Sequence, residues 1–256
     1  MARISPFEKY AEQYERWFEK NCRVYEAELR AVKAMMPTVG SGVEIGVGTG
    51  RFAGLLGIKN GVEPSKRMRD FARKRGIRAL KGVAEKLPFD DSQFDFVLMV
   101  TTVCFVDDIS KALREAHRVL ADEGVLIIGF VDRNSKMGEI YLERREENMF
   151  YKEATFFSVD ELVERMNHAG FTGLTFNQTI FGTLSETAED EPVKPGYGEG
   201  SFVVVRGNKQ QKDHSIVPFT TSSEGKLENP GLLQKFLRWL ARGAEGSNMG
   251  KRSCPT

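Results

Sequence analysis

A chain of 256 residues that is 41% hydrophobic and 29% charged can bury one sizeable core and still leave extensions outside it. With 37 basic against 36 acidic side chains, the formal net charge is +1, so no global field recruits nucleic acid or an anionic membrane. Cys22, Cys104 and Cys254 are far apart and lack CxxC spacing, which argues against a structural zinc site and fits a reducing compartment.

No apolar leader follows Met-Ala-Arg-Ile, and no run approaches the roughly 18 residues that span a bilayer. The expected location is cytoplasmic, without stable membrane insertion. From Ser5 to Met36 the chain is charged and aromatic at helical spacing, with Phe7, Tyr10, Tyr14, Trp17 and Phe18 in one stripe. Ser5 and Pro6 supply an N-cap and a first-turn proline, and Pro37 with Gly40 and Gly42 ends the element, so two helices broken near Asn21 are expected. Residues 1–37 are read as a helical lid over a ligand.

The stretch Gly42-Val43-Glu44-Ile45-Gly46-Val47-Gly48-Thr49-Gly50 organises the rest. A β-branched apolar run meets three alternating glycines, and Phe52, Leu55 and Leu56 follow at helical spacing, which reads as strand, tight loop, helix. A structural turn needs one glycine rather than three, so the loop is expected to approach a ligand closely. Ile58 to Pro64 is a second short strand ending at Glu63, which follows Gly46 by 17 positions. That is close to the roughly 20-residue spacing at which an acid meets a ribose in nucleotide-binding folds.

Ser65 caps a basic helix closed by Gly76, Ile77 to Leu80 is a weak third strand, and Gly82 to Phe89 is rich in turns. Phe94 to Val100 is apolar on both faces, as a central parallel strand should be. A helix from Ser110 to Leu120, an exit turn at Asp122-Glu123-Gly124 and a strand from Val125 to Val131 follow. The alternation argues a doubly wound, mostly parallel α/β sheet with ligands at the carboxyl ends of its strands. Asp132 to Phe157 breaks the rhythm with a charged, aromatic insertion. Ser158-x-x-Glu161 is a capping box for a helix ending at Ala169-Gly170, and Leu174 to Ile180 with Ser201 to Val205 reads as a closing antiparallel hairpin around a loop at Glu186 to Glu199.

Residues 38–207 form the expected domain, and 208–256 a polar tail. Within the tail, residues 229–243 place Leu232, Leu233, Phe236, Leu237 and Leu240 on one face of an amphipathic helix, suited to a homo-oligomer or peripheral contact.

The loop excludes two nucleotide chemistries. A G-x-G-x-x-G pattern starting at Gly46 or Gly48 needs glycine at Arg51 or Ala53, and no G-x-x-x-x-G-K-S/T is present. The motifs Val43–Gly50, Gly61-Val62-Glu63-Pro64-Ser65, Gly82–Phe89, Phe94-Asp95-Phe96-Val97 and Arg118-Val119-Leu120 before Gly124 instead resemble, in order, the class I S-adenosylmethionine-dependent methyltransferases. The likeness is greatest to the small-molecule branch that includes ubiquinone and menaquinone C-methyltransferases.

The resemblance implies a seven-stranded Rossmann-like sheet with an antiparallel last strand, and S-adenosylmethionine as cofactor with S-adenosylhomocysteine as product. It further implies that Glu44 and the Gly46, Gly48, Gly50 loop hold the methionine part, Glu63 the ribose hydroxyls and Ala84-Glu85 the adenine, with Thr101 and Thr102 facing the methionine end. Val83 departs from the acid that family members commonly place before the Ala-Glu pair. Methyl transfer from a sulfonium is an in-line displacement whose leaving group needs no proton, so no metal or Ser-His-Asp set is required. The acceptor is expected to be a small molecule with an N, S, O or C nucleophile. Where it must lose a proton, Asp132 past the fifth strand and Tyr14 in the lid are the candidate bases. A different class of function is a non-catalytic cofactor-binding or scaffold protein that kept the fold.

Overall fold

The structure is a computed structural model, and it describes residues 5–210. The expected tail helix at 229–243 lies outside the described residues. In chain order the elements are α1 (Ser5–Lys9), α2 (Ala11–Lys20), α3 (Cys22–Lys33), β1 (Gly42–Ile45), α4 (Arg51–Leu56), β2 (Asn60–Val62), α5 (Lys66–Lys74), β3 (Arg78–Leu80) and β4 (Phe94–Val100). Then come α6 (Ile109–Val119), β5 (Leu120–Val131), α7 (Lys136–Glu143), α8 (Val159–His168), β6 (Phe171–Thr179), β7 (Lys194–Pro195) and β8 (Phe202–Lys209).

The strands make one sheet of eight in the order β3-β2-β1-β4-β5-β8-β6-β7. Pairings from β3 through β5 are parallel, while β8 runs antiparallel to both β5 and β6. The sequence implied seven strands. The eighth, β7, is a two-residue edge strand inside the loop at 186–199, pairing with Asn177 and Gln178, where Pro195 is tolerated because its missing N–H faces no neighbour.

Strand alternation sorts the core into two layers. Val97 and Met99 of β4, Leu126 and Ile128 of β5, and Val203 and Val205 of β8 pack against α6 and α8 on one face. Phe96 and Leu98, Ile127, and Phe202 and Val204 face α3, α4 and α5 on the other. Because both faces of β4 are covered, its seven residues read as an unbroken apolar run apart from Asp95.

The N-terminal segment breaks at Asn21 as expected, with its amide donating to the Trp17 carbonyl at 2.9 Å. A second break at Tyr10 separates α1. Val24, Tyr25 and Ala27 of α3 are buried in the sheet's second layer, joined there by Phe18 of α2, whereas Phe7 of α1 and Tyr14 of α2 are only partly buried. Ser65 and Ser158 cap their helices, the latter with the complete box. One expectation fails. Asp122-Glu123-Gly124 is not a turn between elements but an irregular part of β5, where Glu123 takes φ +65° and the register shifts between the Phe94–Leu120 and Phe96–Val125 pairs. The insertion after Asp132 contains α7, whose N-cap Ser135 accepts from Gly138 N–H at 3.1 Å.

Candidate active site

Strand order reverses between β1 and β4, and the carboxyl ends of β1, β2 and β4 open there into a cavity of about 840 Å³, counting space open to solvent. The loop after β1 forms its floor. Gly46, Gly48 and Gly50 take φ of +69°, +52° and +83°, a region only glycine enters without strain. They serve different ends. A Cβ on Gly46 would meet Thr102 Oγ1 at 2.4 Å, and one on Gly50 would meet Ile77 Cδ1 at 2.5 Å, so both are fixed by the protein's own packing. At Gly48 a Cβ meets nothing closer than the Tyr14 hydroxyl at 3.8 Å and would stand in the cavity itself.

Glu63 ends β2 and lines the cavity. Its Oε1 accepts from Ser65 N–H at 2.8 Å and its Oε2 from Gly48 N–H at 3.1 Å, so the backbone aims the carboxylate before any ligand arrives. Burial pushes its carboxyl up to about 7, against the opposing pull of those two N–H donors. Glu44 of β1 is 2% exposed and does not reach the cavity lining. Burial holds its carboxyl well above the usual range, with the Glu63 charge adding to the effect and a hydrogen bond from Ala53 N–H opposing it. Its Oε2 has no partner. Two buried acids around one glycine loop, one with an orphan oxygen, make an environment that favours a cation.

The remaining walls come from four segments. Ala84 and Glu85 line the cavity, but Glu85 already accepts from Asp107 N–H at 2.7 Å and Asp108 N–H at 3.2 Å, fixing the turn before α6. Thr101 and Thr102 follow β4, and Thr101 takes φ +47°, costly for a β-branched residue. Thr102 Oγ1 donates to the Val100 and Ile45 carbonyls at 3.0 and 3.2 Å, tying β4 to β1 rather than pointing a free hydroxyl inward. Phe7 and Tyr14 close the top, with Phe105 and Tyr151.

Of the residues singled out in sequence, Tyr14, Gly46, Gly48, Glu63, Ala84, Glu85, Thr101 and Thr102 meet around the cavity, while Glu44 and Gly50 support it from behind. Asp132 does neither. Its carboxylate accepts from the Asn134 N–H at 3.1 Å and from the Val159 backbone, shaping the turn that leaves β5. Tyr14 faces the cavity, where burial and then the Glu44 and Glu63 charges push its phenol far above its usual range and disfavour the phenolate that a base would need. Sequence reasoning missed Phe105 and Tyr151 as site residues; the density of aromatics between 141 and 157 was the available signal for Tyr151, and Phe105 had none.

It also missed how α1 and α2 are held. Glu8 accepts from the Ser65 hydroxyl at 2.7 Å and from Arg67 N–H at 3.3 Å, at the N-terminus of α5, and its carboxyl is lowered chiefly by the Ser65 bond. Glu15 of α2 takes Arg51 Nη2 at 2.9 Å and Arg75 Nη2 at 2.6 Å. Burial opposes its ionisation, yet the Thr49 hydroxyl and then the two guanidinium groups outweigh it and the carboxyl is lowered. Arg75 also donates to the Thr49 carbonyl in the glycine loop at 2.9 Å, so the cover and the floor share one ion cluster.

Residues 43–128 match the family described as methyltransferase domain. A crystal structure from Thermotoga maritima, described as a SAM-dependent methyltransferase and "possible histamine N-methyltransferase", is 55% identical, superposes with a TM-score of 0.79 and is matched over 80% of this chain and 99% of its own. An uncharacterized protein of Methanocaldococcus jannaschii is 44% identical over 206 residues, 80% of this chain and all of that one. The demethylmenaquinone methyltransferase of Chlorobaculum tepidum is 35% identical over 109 residues, 39% of this chain and 45% of its own. The strand order, the glycine loop with its ribose-spaced acid and these likenesses agree: the chain belongs to the class I methyltransferases, whose cofactor is S-adenosylmethionine.

Proposed function

We propose that this protein transfers the methyl group of S-adenosylmethionine to the N, S, O or C nucleophile of a small-molecule acceptor. The observation that carries the proposal is Glu63, a buried carboxylate aimed by two backbone N–H groups into the cavity, beside the orphan Oε2 of Glu44. Oriented in this way, Glu63 can still accept both hydroxyls of a ribose. Gly48 lets the methionine chain lie against the loop, Glu44 supports that loop from behind, and Ala84 offers a small flat surface to the adenine. Thr101 and Thr102 border the methionine end; Gly46 and Gly50 hold the loop's shape.

Bound cofactor supplies a methyl group on a sulfonium, already activated toward a nucleophile. The protein's part is to hold the acceptor about 3 Å away on the S–CH₃ axis and to exclude water. Phe7, Tyr14, Phe105 and Tyr151 form an aromatic cover suited to that task, with α1 and α2 as the lid.

Titration calorimetry tests the assignment. One molecule of S-adenosylmethionine or S-adenosylhomocysteine should bind per chain, and Glu63→Ala should weaken it roughly ten- to hundredfold, from about 1.5–3 kcal/mol of lost charge-assisted hydrogen bonding. Binding of NADH with no response to either methionine nucleoside would reject the site. Release of S-adenosylhomocysteine against a panel of small acceptors then separates transfer from cofactor binding alone.

A further inference from the structure

S-adenosylmethionine carries its methionine chain and its base on opposite sides of the ribose. With the methionine chain on the loop after β1 and the ribose on Glu63 at the end of β2, the base falls at the end of β3, the next strand in the sheet. That end of the cavity is walled by Val62, Pro64, Met68, Val83, Ala84 and Val106, all of them apolar. A purine can be gripped there by its faces, through removal of apolar surface from water.

The edge of the base meets few polar groups. Ala84 is 6% exposed, and its N–H is taken by no acceptor among the described residues, which leaves a donor suited to a ring nitrogen. Apart from Glu63, the acid among the described residues lining the cavity is Glu85. Its Oε1 accepts from Asp107 N–H at 2.7 Å and from Asp108 N–H at 3.2 Å, which holds the carboxylate on the turn before α6. The Val83 carbonyl accepts from Lys86 N–H at 3.1 Å and closes its own turn. In adenine the ring nitrogen N1 is flanked by the exocyclic amine at C6, so a side chain next to the Ala84 N–H is the one placed to meet that amine. The side chain there is Val83, half-buried, lining the cavity and without a polar atom.

We propose that Val83 sets the base specificity of the cofactor site: the site reads the faces and a ring nitrogen of a purine and leaves the 6-amino group unread, so a cofactor with hydrogen in place of that amine is accepted as readily as the adenine form. An acid at position 83 would accept a hydrogen bond from the amine, and charge-assisted bonds of that kind discriminate roughly ten- to hundredfold. A valine methyl supplies no such preference. The inference rests on the cofactor site proposed above and adds to it which part of the base is recognised.

Titration calorimetry on the full chain compares S-adenosylhomocysteine with its analogue built on purine riboside, in which hydrogen replaces the 6-amino group. The two dissociation constants should agree within about threefold. Val83→Asp should open a gap of at least tenfold in favour of S-adenosylhomocysteine. The wild-type comparison decides the matter whether or not the Val83→Asp chain folds. A wild-type gap wider than threefold in favour of S-adenosylhomocysteine would overturn the inference, since some group would then be reading the amine; so would a folded Val83→Asp chain whose gap stays under tenfold. Failure of the wild-type chain to bind S-adenosylhomocysteine would instead defeat the cofactor assignment, and this inference with it.

Discussion

The two sides of the main cavity are built from different material. The floor is backbone: Gly48 N–H and Ser65 N–H hold Glu63, while Gly46 and Gly50 are locked by Thr102 and Ile77. The cover is side chain, supplied by separate stretches of sequence. Phe7 lies edge-on to Phe105 at 4.8 Å and tilted against Phe150 at 5.4 Å, and Tyr14 stands edge-on to Phe150 at 5.9 Å. A backbone floor tolerates few sequences and recognises one ligand, whereas a side-chain cover can be repacked for another acceptor without disturbing the sheet.

The joint between them is the sharpest place to break that contrast. Glu15 of α2 holds Arg51 and Arg75, and Arg75 reaches the Thr49 carbonyl of the floor. Replacing Glu15 with Ala leaves Arg51, 9% exposed, with only the exposed Glu19 carboxylate at 3.8 Å, and removing the close partner of a buried pair costs roughly 3–5 kcal/mol. For a domain of this size that is a fall of roughly 10 °C in melting temperature. Glu12→Ala, which removes a solvent-screened pair with the half-exposed Arg67, should leave the melting temperature nearly unchanged. Equal effects from the two variants would mean that α2 is not latched through Glu15.

A second experiment isolates the floor. Since burial raises the Glu63 carboxyl to about 7 and only the ionised form accepts both ribose hydroxyls, ligand binding draws a proton off this group. Affinity should therefore be low below pH 6, rise through 7 and level off above 8. With adenosine, which has no group titrating in that window, the gain from pH 6 to pH 8 should be about tenfold. Glu63→Gln should flatten the profile, and a wild-type profile that is already flat would remove Glu63 from the ribose.

The same division decides what could be read from the sequence. Alternating glycines, an acid at ribose spacing and a doubly apolar strand have few other uses, so the floor and the sheet order from β1 to β5 were legible. Positions that depend on remote partners were not. Glu123 looks like part of a turn but sits in a bulge forced by the register of β4 and β5. Asp132 stands at the end of β5, where active-site acids occur, yet Asn134 and Val159 claim its carboxylate. Glu15 is indistinguishable from the other acids of its helix until the fold brings two arginines to it.

Tyr14 gives the finest test, because its hydroxyl lies over the floor while its ring belongs to the cover. As a general base it would have to lose its proton, and removing a base typically costs a hundredfold or more in turnover, on the order of 10²–10⁴. The structure opposes that role: burial, then the charges of Glu44 and Glu63, hold the phenol protonated far above neutral pH. Its contribution should be that of a donor and an aromatic wall. Tyr14→Phe keeps the ring against Phe7, Phe18 and Phe150 and deletes only the hydroxyl. Turnover with whichever acceptor proves active should then fall by less than about threefold, with no change in the shape of its pH profile, in line with one neutral hydrogen bond of about 0.5 kcal/mol. Tyr14→Ala, which opens the cover above Gly48, should do more harm than Tyr14→Phe. A hundredfold loss on removing the hydroxyl alone would restore Tyr14 as the proton acceptor.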